Sequence, residues 1–166
     1  MFGKTLVLIV LVSFSVMINA ENNLMIGDVP PSYLGTDSDG NKINLEDYKG
    51  KIVVISFWAS WCSPCLKELP VLENIQNKIG VDIVKVVAIN FKENRKKYRK
   101  ITKILSVLNL TLTHDKRGSI GKKFGVKSIP NLFIIGRDGK IVFHNVGYGE
   151  SSIDKIVKVL NQQLSS

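Results

Sequence analysis

The chain has 166 residues, a length for one domain with a sizeable core even if the twenty at its start are removed. Hydrophobic residues at 45% and charged residues at 22% exclude both an intrinsically disordered chain and a polytopic membrane protein. The net charge of +9 speaks to solubility and to acidic partners rather than to fold, and two cysteines with two scattered histidines exclude a disulfide scaffold and a zinc finger.

Met1 to Ala20 carries one cation, Lys4, then an apolar run from Leu6 to Ile18 broken only by Ser13 and Ser15, and closes on Ile18-Asn19-Ala20. This is the pattern of a secretory signal cleaved after Ala20; left in place it would tether the chain, although the run is shorter than the about 20 apolar residues that cross a bilayer. No cysteine stands near the cleavage point to carry a lipid. The expected organisation is a signal peptide at 1–20 and one domain at 21–166, exported to a periplasmic or otherwise extracytoplasmic compartment where disulfides persist.

Gly27 to Gly50 is rich in turn residues, and Asp39-Gly40 between Tyr33-Leu34 and Lys42 to Leu45 predicts an amino-terminal hairpin. Lys51 to Trp58 is apolar and β-branched after its lysine, as suits a central strand buried on both faces. Leu66, Leu69, Leu72, Ile75 and Ile79 then follow helical spacing from Ser63 to Ile79, with Pro70 predicting a kink and Gly80 an end. Asp82 to Asn90 repeats the buried-strand pattern, completing a strand-helix-strand unit suited to parallel pairing. Asn94 can cap a second helix to about Leu108, turning Tyr98, Ile101, Leu105 and Leu108 inward and a row of lysines and arginines outward. A short strand at Thr111 to Thr113 and a short helix at Gly118 to Phe124 follow. A hairpin of Asn131 to Ile135 and Lys140 to Val146 around Gly136 to Gly139, and an amphipathic helix over about Ser152 to Leu164, complete an α/β order with mixed strand directions.

The chemistry gathers in Trp58-Ala59-Ser60-Trp61-Cys62-Ser63-Pro64-Cys65, at the passage from the first central strand into its helix. There Cys62 meets unpaired backbone N–H groups and the positive end of the helix dipole, which favour a thiolate. Cys65, one turn inside, is the more buried resolving thiol, and Pro64 surrenders an N–H that lacks an intrahelical partner. The alternative is an inert staple, but closing so short a ring contributes only about 2 kcal/mol.

With Phe57 added before this run, Glu68-Leu69-Pro70 after it and Ile129-Pro130 before the second hairpin, the sequence resembles the thioredoxin superfamily. More narrowly it is similar to the extracytoplasmic TlpA/ResA-like thiol-disulfide oxidoreductases, which include cytochrome c maturation proteins of the CcmG type. The likeness spans roughly Gly27 to Leu164. It implies a thioredoxin fold, a central mixed β-sheet flanked by helices, with an N-terminal hairpin and a central helix-strand insert around Asn90 to Asp115. It implies further that Pro130 is a cis proline beside the sulfurs, that Ile129 offers backbone groups to an extended substrate strand, and that Trp61, Ser63 and Pro64 form the substrate-facing rim. Trp58 and Phe57 are assigned to the core.

Where thioredoxin carries a buried aspartate, two residues before Trp58, this chain has Ser56, so another base is required. Glu68, on the helix face of Cys65, could exchange a proton with its thiol directly or through water. Glu93 matches a second acid of the ResA group. Both are expected to be buried with raised pKa values. The expected function is reduction of selected protein disulfides by the Cys62 and Cys65 dithiol, with Glu68 and Glu93 assisting, re-reduction by a membrane thiol carrier, and apocytochrome c as one client.

Three alternatives bear on that reading. An oxidase would use the same residues in reverse. A peroxiredoxin-type peroxidase would carry threonine where Ala59 stands, and a copper-delivery module a wider cysteine spacing with histidine or methionine nearby. No cofactor, metal or nucleic acid is expected, and His114 and His144 are read as ordinary polar positions. The chain is expected to be a monomer. The basic run from Lys92 to Lys103 is read as a solvated face, with contact to a membrane surface as the alternative.

Overall fold

The computed structural model describes residues 24–165, so the expected signal at 1–20 lies outside the described residues. The chain opens with an antiparallel hairpin, β1 (Tyr33–Thr36) and β2 (Lys42–Asn44), and then turns through a 3-10 helix at Leu45–Tyr48. Asp37 organises the hairpin turn: its carboxylate accepts from the backbone N–H groups of Asp39 and Asn41 and from the Asn41 amide. Leu45 was expected at the end of the second strand; instead Asp47 accepts from the Asn44 N–H and draws the chain into the helical turn.

β3 (Ile52–Trp58) is followed by α1 (Ser63–Ile79), β4 (Val84–Phe91) and α2 (Arg95–Leu105). β5 (Thr111–Asp115), α3 (Ser119–Lys123), β6 (Asn131–Ile135), β7 (Ile141–Val146) and α4 (Glu150–Leu164) complete the chain. The seven strands form one sheet in the order β2-β1-β5-β4-β3-β6-β7. β3, β4 and β5 run parallel, as the helical crossovers between them require, and the remaining pairings are antiparallel. The sheet is therefore mixed, flanked by helices, with the hairpin at one edge: a thioredoxin fold.

β3 is buried along its whole length, and its side chains alternate between two cores. Val53, Ile55 and Phe57 pack with Ile120 and Phe124 near α3, whereas Ile52 and Val54 pack with Leu72 of α1 and Ile156 and Leu160 of α4. Trp58 joins Cys62, Cys65, Leu69 and Ala88 in a third cluster, against which Ile101 and Leu105 of α2 rest.

α1 spans Ser63–Ile79 as expected, with Pro70 inside it, whereas other boundaries differ from the sequence expectation. α2 ends at Leu105, with Leu108 in the following turn, its N–H donating to the Leu105 carbonyl; the inward face includes Thr102, whose hydroxyl donates to the Tyr98 carbonyl. β5 extends to Asp115, because pairing with β4 continues to Phe91.

Phe91 lies across Gly121 of α3 so closely that any Cβ at that position would overlap the aromatic ring. Gly121→Ala is expected to destabilise the fold by about 1–3 kcal/mol. Urea unfolding should also show part of that loss recovered by a second substitution, Phe91→Leu, which shortens the obstructing side chain.

Candidate active site

β3 delivers the chain to the sulfurs. It ends at Trp58, the chain crosses Ala59 to Trp61 at the carboxyl edge of the sheet, and Cys62 becomes the N-cap of α1. Its Sγ accepts the Cys65 N–H at 3.3 Å, in the role a serine or aspartate oxygen usually fills. Cys62 and Cys65 are joined as a disulfide, with Cα atoms 5.2 Å apart. Both sulfur residues are buried, while Trp61, Ser63 and Pro64 are exposed around them, Trp61 to 67%. Trp58 and Phe57 are fully buried. On reduction, a Cys62 thiolate would occupy the positive end of α1.

The antiparallel pairing of β6 with β3 sets Asn131 opposite Phe57, and so brings the preceding Ile129-Pro130 to the same edge. This peptide bond is cis. Ile129 packs against the cluster that holds both cysteines. The Pro130 carbonyl accepts from the Gly147 N–H, whereas among the described residues the Ile129 backbone has no such hydrogen bond.

Glu68 lies one turn behind Cys65 and is 1% exposed. The Ser56 hydroxyl donates to its Oε2 at 2.8 Å, and its Oε1 has no partner in the structure. Burial pushes the carboxyl up to about 7, with the Ser56 hydrogen bond pulling weakly the other way. Ser56, at the position where thioredoxin carries its buried aspartate, thus hydrogen-bonds Glu68.

Glu93 is also buried, yet its chemistry is the reverse of the expected raised pKa. Burial would raise it, but hydrogen bonds from the Ser60 hydroxyl, the Asn90 amide and the Ser60 N–H, together with the Lys97 charge, hold it below the usual carboxylate range. An ionised acid therefore grips the loop two residues before Cys62. Ser60, Asn90 and Lys97 were missed by the sequence reading; the only signal was a polar Asn90 at the end of an apolar strand. The two histidines also make specific contacts. His114 stacks on Tyr98 and hydrogen-bonds the Glu93 carbonyl, and His144 stacks on Phe133 and hydrogen-bonds Asn131. Among the described residues no group of three or more histidine, cysteine or acidic side chains could hold a metal ion.

Comparison with known proteins agrees with this geometry. The AhpC/TSA family model matches residues 26–144. Thiol-disulfide oxidoreductase ResA of Bacillus thuringiensis subsp. konkukian is 35% identical over 122 residues, covering 74% of this chain and 70% of the relative. ResA of Bacillus subtilis is 28% identical over 148 residues, 86% of this chain and 82% of that one. A Chlorobium tepidum structure provisionally named thiol:disulfide interchange protein DsbE superposes with a TM-score of 0.76 at 29% identity, covering 86% of this chain and 99% of that chain.

The raised Glu68 pKa ties stability to pH. The native carboxyl binds its proton more tightly than the unfolded one, so its contribution is full below about 4.5 and is lost as pH rises through about 7. Urea unfolding of the oxidised protein is expected to show stability falling across that window by on the order of 3 kcal/mol relative to Glu68→Gln, which lacks the titration.

Proposed function

The chain belongs to the AhpC/TSA family and is a thiol-disulfide oxidoreductase, and from that premise we propose that it works outside the cytoplasm as a reductase of selected protein disulfides. The observation that carries the reading is the Cys62 sulfur capping α1 with Glu68, its carboxyl raised to about 7, buried one turn behind Cys65. An exported domain at 21–166 follows from the signal pattern at 1–20. Among the described residues no helix is long and apolar enough to cross a membrane.

In the reduced protein the Cys62 thiolate attacks one sulfur of a client disulfide. A Cys62–client disulfide forms, the client bond breaks, and the departing client sulfur takes up a proton. Glu68 accepts the proton of Cys65, whose thiolate attacks the Cys62 sulfur. The Cys62–Cys65 disulfide closes and the second client thiol leaves with a proton. Two electrons have passed from the dithiol to the client, and a membrane thiol carrier restores them.

The Ile129 backbone beside Pro130 is free to pair with an extended client strand, and Trp61, Ser63 and Pro64 form the rim on which that strand rests. Glu93 holds Ser60, and with it the approach to Cys62, in place. Cytochrome c maturation is the setting we assign, with apocytochrome c among the clients.

Cys65→Ser in the native host is expected to accumulate dithiothreitol-sensitive adducts on non-reducing gels, and the additional change Cys62→Ser to abolish them. Absence of adducts that depend on Cys62 contradicts the reading, and a strongly oxidising reduction potential would reverse its direction. Stopped-flow resolution of a mixed disulfide should accelerate as pH rises through about 7, and Glu68→Gln should slow it by on the order of a hundredfold.

A further inference from the structure

α2 and the β1–β2 turn face each other across a groove of about 1090 Å³, more than small-molecule sites usually enclose and enough for a stretch of polypeptide. Lys96, Arg99, Lys100 and Lys103 form one wall, and Asp37 and Asp39 stand on the other. Tyr48, Leu110 and Leu112, all half-buried, also line it and supply apolar surface. None of the four cations is paired: among the described residues the one ion pair is Lys51–Asp82, elsewhere on the surface. The Asp37 carboxylate is occupied by its own turn, where it accepts from Asp39 and Asn41.

The groove starts near the first turn of α2, beside the sheet edge that carries the sulfurs, and runs away from it toward the start of β5. Trp58 pairs with Asn90 and Phe91 with Asp115, so the ends of β3, β4 and β5 that lead to Cys62 and Glu93 lie side by side, whereas β1 is antiparallel to β5 and the turn beyond Thr36, which pairs with His114, descends beside Leu112 and Leu110. Glu93 connects the two regions, hydrogen-bonded to Ser60 on one side and adjoining the first turn of α2 on the other.

We propose that this groove docks an acidic, partly apolar segment of the client polypeptide and so delivers the client disulfide to Cys62. The proposal rests on the reductase reading and adds the class of client to it. Unpaired cations attract carboxylates, and the half-buried Tyr48, Leu110 and Leu112 accept apolar side chains between them. A recessed site with aspartates on one wall suits a chain that can place carboxylates against α2 alone. A flat anionic bilayer would meet Asp37 and Asp39 as well and be repelled by them.

Two synthetic peptides with the same disulfide loop, one tailed with glutamates and the other with glutamines, test the proposal in single turnover by the reduced protein. The acidic peptide is expected to react about tenfold faster or more at low salt, with the advantage gone near about 0.5 M NaCl. Combined Lys96→Glu, Arg99→Glu and Lys100→Glu should abolish the preference and leave the glutamine peptide's rate unchanged, which also shows that the variant is folded. Combined Lys140→Glu, Lys155→Glu and Lys158→Glu, an equal charge change at the opposite edge of the sheet, should retain it. Equal loss in both variants would overturn the proposal, because attraction by overall charge would then suffice. Loss of binding to phosphatidylglycerol vesicles in the α2 variant with the peptide preference intact would also overturn it, in favour of a membrane surface. If both peptides are reduced at one rate, docking alone fails; if neither is reduced, the reductase reading fails and docking falls with it.

Discussion

The first amide groups of α1 have no carbonyl of their own helix to bind, and one of them is satisfied by sulfur. The Cys65 N–H donates to the Cys62 Sγ, so the residue that caps the helix is the one whose anion that helix end would stabilise. The contact exists because β3, buried on both faces and paired on both sides, ends at Trp58 with little freedom in where the chain goes next. The same antiparallel pairing that steadies β3 brings Ile129 and Pro130 to the sulfurs. A rigid central strand thus sets both halves of the site, although they lie more than sixty residues apart in the chain.

Two glutamates near this junction have been driven in opposite directions. Both are buried, and burial opposes ionisation in both. Glu68 receives one hydroxyl donor and leaves its other oxygen unpartnered, so the neutral acid is favoured up to about pH 7. Glu93 receives three donors and a nearby lysine charge, which outweigh the same penalty. One is suited to moving a proton and the other to holding a loop. Carboxylates with separated ionisation of this kind divide acid-base work from electrostatic anchoring.

The elements with strong periodicity were readable in advance. β3, α1 and β6 each carry enough apolar residues in one pattern that tertiary contacts only confirm them. Weaker stretches depended on neighbours. Leu45 follows two strand-like residues, yet Asp47 turns the chain into a helix there; Leu108 has helical spacing from Leu105 but falls beyond the last turn; and the end of β5 is settled by its ladder with β4. In the site, the sulfurs and Glu68 were legible because a motif or a helical interval linked them. Ser60 was not, because its link to Glu93 crosses from one loop to another.

The order of hydrophobic and turn residues by itself determined an α/β domain, a dithiol at a strand-to-helix junction, and a basic helix in a central insert. Those are local properties, fixed by spacing along a few turns or strands. Which carboxyl stays protonated, which backbone groups stand open beside the sulfurs, and that the basic helix faces an acidic turn across a groove were decided only by tertiary structure. Each depends on how much water and how many donors surround a group once distant segments have packed, and nothing in the linear order counts them.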